Sequence, residues 1–280
     1  MSLKINRRHF LAAAGVTAFT SGAPWAFAQS DTSTWARVQR TKTVRVGVVR
    51  SGIPYYAKDI SSGDWSGCMY EFYQGIAASV GAKLELTETT WGNSVLDLQS
   101  NKIDLFFGLN PTPQRAAVID FTDPVLNIAF TLLTKTPEKF PTWASLDAPE
   151  FTVAVDNGSS HDALATRLLK QAKIIRLETV TDATLAVQTG RADAQVIVLP
   201  LALSIISKNP AAGKMVIPTP QEQATSNGGV RKEADGQWRQ HVNDWIRQGH
   251  ANGQIKSAFF SSLQRLGGVQ ASAIPKDLTI

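Results

Sequence analysis

Two stretches of this chain repeat one pattern, a short apolar strand followed by an amphipathic helix and another strand. "TVRVGVV" (43–49) alternates and runs into the turn-rich "RSGIP". "CMYEFYQGIAASV" carries apolar residues at helical spacing and stops at Gly81, after which "AKLELTET" alternates again. "SVLDLQSN" predicts a short helix that turns Val95, Leu96 and Leu98 toward a sheet. "IDLFFGL" is apolar throughout, which suits a strand covered on both faces. "NIAFTLLTK" (127–135) is extended, and the polar, proline-containing "TPEKFPTWASLDAPE" marks a domain boundary. The pattern then restarts: "FTVAVD", "SSHDALATRLLKQ", "KIIRLE", "TDATLAVQTG" and "ADAQVIVL" read as strand, helix, strand, helix, strand. Parallel strands joined through helices make right-handed crossovers, so two α/β halves are expected. "GKMVIPTP" closes the second half, and "QWRQHVNDWIRQGHANGQIKSAFFSSL" predicts two tail helices separated by Gly253. Ligands of such sheets bind outside the carboxyl ends of the strands, and two adjoining halves offer a cleft there.

The first 28 residues read as a leader: Lys4, Arg7 and Arg8 precede an apolar stretch that ends in Ala26-Phe27-Ala28. The pair in "NRRHFLAAAG" resembles the twin-arginine export signal. Cleavage after Ala28, a polar linker and a periplasmic destination are expected. Removing the leader takes away three basic residues and no acidic ones, which lowers the formal charge from +5 to +2. A charge this small, without a Lys/Arg run, gives no support for nucleic-acid binding. Cys68 is the one cysteine, so no intrachain disulfide forms, and its expected state is a buried small apolar residue. The histidines, His9, His161, His241 and His250, lack metal-site spacing, and neither a Walker loop nor a dinucleotide fingerprint is present. No cofactor or metal is expected.

Arg115 stands where "IDLFFGL" has ended and "TPQRAAVI" begins a helix, with Thr112 placed as N-cap and Pro113 in the first turn. A guanidinium beside the free amides of a helix start can grip a carboxylate; a surface pair with Asp120 is the alternative. The second half has a counterpart in "VDNGSSHDAL", where Ser159 and Ser160 either complete an anion site or simply cap the helix. His161 beside them is read as solvent-facing, with a ligand-donor role as the alternative.

From about Thr43 to about Leu263 the chain resembles the periplasmic solute-binding proteins of family 3, the amino-acid receptors of ABC importers. The likeness rests on the order of several segments: "VRVGVVRSGIPYY", "GCMYEFYQGIA", "VLDLQSNKIDLFFG", the block Thr112, Arg115, Asp120, Phe121, Thr122, Asp123, Pro124, and then "VAVDNGSS", "TGRADA" and "GGVRK". The resemblance implies a type II periplasmic binding protein fold, α/β and two-lobed, with the ligand cleft between the lobes. Lobe 1 would comprise 29–133 with 228–280, and lobe 2 would comprise 134–227. By the same resemblance Arg115 binds a ligand carboxylate, helped by Asn110 and main-chain groups near Gly108. Ser159 and Ser160 add donors, and Tyr55, Tyr56 and Trp91 occupy or flank the positions that wall the pocket, with ordinary core packing as the alternative for Tyr56. The family commonly holds the ligand ammonium on an aspartate five residues after the Asp of Gly-x-x-Asp-Ala. Here that position is Val198, with Asp162 or Glu222 as substitutes to consider. Val49, Gly52 and Val125 also depart from the family's habit.

The function this implies is the non-enzymatic binding component of an importer, a monomer that delivers a small carboxylate or amino acid to a membrane permease. An enzyme resembling cyclohexadienyl dehydratase would need a carboxyl group in the cleft beside Arg115. An accessory protein of a periplasmic enzyme or sensor is the third reading.

Overall fold

The computed structural model describes residues 33–274; the expected leader and its cleavage site lie outside the described residues. The segment expected as a polar linker is instead helical over Thr34–Thr41. Ser33 caps it by accepting from the Ala36 amide, and Thr34 and Val38, one turn apart, are both buried. The Thr34 hydroxyl donates to Glu233 at 2.6 Å, which fastens this helix to the far end of the chain.

In the first half, strands Thr43–Val48 and Lys83–Glu88 pair in parallel, and Val46 makes a further parallel bridge to Leu105. The helix Cys68–Ser79 joins the two strands, and it buries Met69, Phe72, Tyr73 and Ile76. Gly81, at φ 59°, takes the left-handed turn that lets the chain leave it. The next helix, Ser94–Gln99, buries Ser94 and Leu98, but Leu96 is 65% exposed. The expectation that Leu96 faces the sheet therefore fails: the helix is too short to bury three such neighbouring positions, which span more than one face.

The segments read separately as "DFTDP" and "NIAFTLLTK" form one 16-residue strand, Ile119–Thr134. Its first part pairs antiparallel with the return strand Gln223–Arg231, and its last part pairs with Ala194–Val198 and Lys214–Val216. One strand thus belongs to the sheets of both lobes, and the return strand runs back beside it. Pro124 is tolerated because it lies opposite Asn227, where the register shifts and the ladder is interrupted. The expected lobe boundary at 134 falls at the end of the outgoing strand, and that at 227 falls on this irregularity.

The second half extends from Ala194–Val198 through Thr152–Asp156 to Lys173–Leu177, all parallel. Helices Ser160–Leu168 and Val180–Gln188 follow the strands as expected. A further helix, Leu199–Lys208, was not anticipated; Pro200 sits in its first turn. The tail helices Gln237–Ala251 and Gln254–Arg265, separated by Gly253 at φ 76°, return to the first half. There Trp238 Nε1 donates to the Asp104 carbonyl at 2.9 Å. Cys68 is buried, and burial pushes its thiol well above the usual range.

Candidate functional site

Arg115 reaches the interface between the lobes because a capped helix start holds it there. Thr112 Oγ1 accepts from the Arg115 amide at 3.2 Å, and Pro113 opens the helix Pro113–Val118. The side chain is only 7% exposed, which removes the surface alternative; Asp120 pairs instead with Arg239 at 3.3 Å. The guanidinium donates to the carbonyls of Asn110 at 3.1 Å and Trp91 at 3.4 Å in its own lobe, and to that of Gly158 across the cleft at 3.1 Å. Among the described residues it makes no ion pair. Burial pushes its pKa down to about 10, opposed by the charge of Asp156, so it stays cationic at neutral pH.

A second bond crosses the cleft: the Ser160 hydroxyl donates to Asn110 Oδ1 at 2.6 Å. The same Asn110 donates its amide to the Thr225 carbonyl on the return strand. Ser159 is the N-cap, accepting from the amides of His161 and Asp162 at 3.1 and 3.2 Å, which commits its oxygen to the helix. The backbones also come close at Gly92, where a Cβ would lie 2.6 Å from the Asn157 carbonyl oxygen.

These contacts narrow the cleft to a small cavity of about 20 Å³, enough for roughly one water. Arg115, Asn110, Gly108, Tyr55 and Trp91 line it from the first lobe. Gly108, at φ 93°, lets the Trp91 ring lie where a Cβ would be only 2.8 Å from it. Ser159, Ser160, His161 and Val198 line it from the second lobe. Tyr56 stands behind this wall. Its hydroxyl donates to the Phe107 carbonyl at 2.8 Å and lies 2.8 Å from the Tyr73 hydroxyl, so Tyr56 takes the core-packing alternative. A wider groove of about 740 Å³ opens on the other flank of Arg115. Two of its cations are paired, Arg176 with Asp162 at 2.9 Å and Arg167 with Glu222 at 2.6 Å, and Lys170 donates to the Thr166 carbonyl at 2.9 Å. Those pairs also occupy the two acids considered as substitutes at Val198.

His161 is buried, not solvent-facing, because the helix start turns it inward over the sheet. Its Nδ1 lies 2.6 Å from Asp156 Oδ1, and its Nε2 accepts from the Val198 amide at 3.1 Å. An N–H pointing at Nε2 makes that nitrogen an acceptor, which leaves the ring proton on Nδ1 to be donated to Asp156. Burial pushes the Asp156 carboxyl up. The adjacent His161, by proximity and hydrogen bond, outweighs this and holds the carboxyl below the usual range. Sequence reasoning passed over Asp156; its signal was an acid closing an otherwise apolar strand, five residues before a histidine. Among the described residues no group of three or more His, Cys, Asp or Glu side chains is placed to hold a metal.

The chain belongs to the bacterial extracellular solute-binding proteins of family 3, whose family match covers residues 44–259. It is 27% identical over 150 residues to a cyclohexadienyl dehydratase of Pseudomonas aeruginosa, across 52% of this chain and 56% of that relative. It is 25% identical over 162 residues to a probable amino-acid ABC transporter-binding protein of Haemophilus influenzae, across 57% of this chain and 61% of that relative. The chain thus spans less than two thirds of the length of either curated relative. Among solved structures, an ancestral amino-acid-binding protein described as a precursor of cyclohexadienyl dehydratase is 28% identical, with a TM-score of 0.75 over 82% of this chain and 100% of that one. The Neisseria gonorrhoeae solute receptor for L-cysteine, at 24% identity, shares the fold with a TM-score of 0.77 over 86% of this chain and 98% of that one. The architecture is that of a two-lobed type II periplasmic binding protein.

Proposed function

We propose that this protein is the binding component of an ABC importer, which takes a small carboxylate or amino acid between its lobes and presents it to a membrane permease. The observation that carries this is Arg115: a buried guanidinium at the lobe junction whose hydrogen bonds go to neutral carbonyls alone. A carboxylate offers such a fork two charge-assisted bonds that the carbonyls cannot match. Only about one water fits in the small cavity, so binding requires the lobes to part at the paired strands Ile119–Thr134 and Gln223–Arg231 and then re-close. Binding in an exported compartment follows from this role and from the expected leader.

The dehydratase reading draws on the 27% identical relative. A dehydration needs a positioned proton donor; no carboxyl side chain lines the small cavity, the carboxyls of the wider groove, Asp162 and Glu222, are held by Arg176 and Arg167, and burial pushes the Tyr55 phenol far above the range of a general acid at neutral pH. His161 does line the small cavity, but both of its ring nitrogens are engaged. These observations favour binding over turnover. A thermal-shift screen of amino acids, aromatic acids and dicarboxylates at micromolar to millimolar concentration tests the proposal. Any carboxylate hit should lose most of its shift in Arg115→Ala. An unchanged shift removes Arg115 from the site, and turnover of a hit overturns the binding reading.

A further inference from the structure

The wall of the small cavity is rich in hydrogen-bond donors and poor in acceptors. Trp91 Nε1–H, which can only donate, is buried without a partner among the described residues. The Tyr55 hydroxyl is buried and unpartnered as well, and burial pushes its pKa up, so it remains a phenol with a proton to give. Arg115 adds its guanidinium. On the acceptor side, Asn110 Oδ1 is already taken by the Ser160 hydroxyl. Ile128, Val198 and Leu201 bring no polar side-chain atom to the cavity they line. Asp156 does not line it; its Oδ1 holds His161, and its Oδ2 is buried with no partner among the described residues. Buried donors left unmade are costly and uncommon, and two on one cavity wall call for acceptors from a ligand.

We infer that the ligand is a carboxylate carrying a hydrogen-bond acceptor on the neighbouring carbon, of the 2-oxo-acid class, and not an α-amino acid. This rests on the carboxylate-binding reading above. The carboxylate goes to Arg115. The oxo oxygen accepts from Trp91 or Tyr55, and the aliphatic side chains of Ile128, Val198 and Leu201 suit an apolar substituent. An ammonium at the same carbon would face donors and valine, with no carboxylate lining the cavity.

The test is calorimetric titration of the wild-type protein with matched pairs, 2-oxoisovalerate against valine and 2-oxoisocaproate against leucine. The oxo acid should bind at least about a hundredfold more tightly, the scale set by an unpaired buried charge. Trp91→Phe or Tyr55→Phe should weaken oxo-acid binding, by about fivefold for one lost hydrogen bond. The melting temperature of unliganded Tyr55→Phe should hold or rise, because an unsatisfied buried hydroxyl is removed; a merely structural role would lower it. Val198→Asp should shrink the preference for the oxo acid. Amino acids binding as tightly as their oxo counterparts, or both Phe variants binding like wild type, overturns this inference and leaves the carboxylate-binding proposal standing. If no member of either pair binds at millimolar concentration, and no other carboxylate does in the thermal-shift screen, both readings fall.

Discussion

The two walls of the cleft solve opposite problems. The first-lobe wall presents a cation and two unpartnered donors to the cavity, and behind it lies a closed hydroxyl network: Tyr73 donates to the Gly47 carbonyl at 2.9 Å and accepts from the Phe107 amide at 2.8 Å. The second-lobe wall turns its charge inward. Asp156 is spent on His161, His161 on Val198, and what faces the cavity there is largely apolar or engaged. On the proposed binding role, recognition would be concentrated on the first lobe, with the second lobe supplying closure. The family resemblance implied an anion site on one lobe and an ammonium site on the other. Here the expected acid position is Val198, and the buried acid Asp156 bonds His161 and favours the charged form of Arg115.

The comparison breaks most visibly if the inward-turned pair is cut. Asp156→Asn leaves the shape but removes the charged acceptor of the His161 Nδ1–H, and should lower unfolding stability by about 2 kcal/mol, as for a hydrogen bond to a charged group, measured by chemical denaturation. The same carboxyl has a pH signature. Its folded value is depressed, so the unfolded chain binds the extra proton as acid is added. Its contribution is fully present above the unfolded carboxyl's value of about 4 and is lost as pH falls through the lower folded value. Melting temperature followed from pH 6 downward should fall less steeply in Asp156→Asn than in the wild type. A smaller effect is expected behind the other wall: Tyr56→Phe removes one member of a neutral network and should cost about 1 kcal/mol. If the two substitutions cost the same, the walls are not held by different chemistry.

Much of the frame could be read from pattern alone. Thr43–Val48, Cys68–Ser79, the stop at Gly81 and the break at Gly253 follow periodicity and glycine punctuation, which act locally. The helix Leu199–Lys208 was hidden because "VIVLPLALSII" is apolar on every side, so neither a period of two nor one of 3.6 stands out; Pro200 was the available clue. The helix Thr34–Thr41 was hidden because its anchor, Glu233, lies 199 residues away. At the site, two helix starts after strands pointed to Arg115 and to Ser159 with Ser160. Whether Arg115 met Asp120 or the cleft was a question of burial, which spacing does not contain. The Asp156–His161 pair depends on which face of a helix turns inward, and so it emerged only with the packing.

The central claim is that a buried guanidinium without an ionic partner is waiting for a carboxylate. The most direct measurement is calorimetric titration of the wild-type protein with its best carboxylate ligand and with the primary amide of that ligand, identical in shape and lacking the charge. Two charge-assisted bonds are at stake, so the amide should bind at least about a hundredfold more weakly. Equal affinities for the acid and the amide would contradict the account.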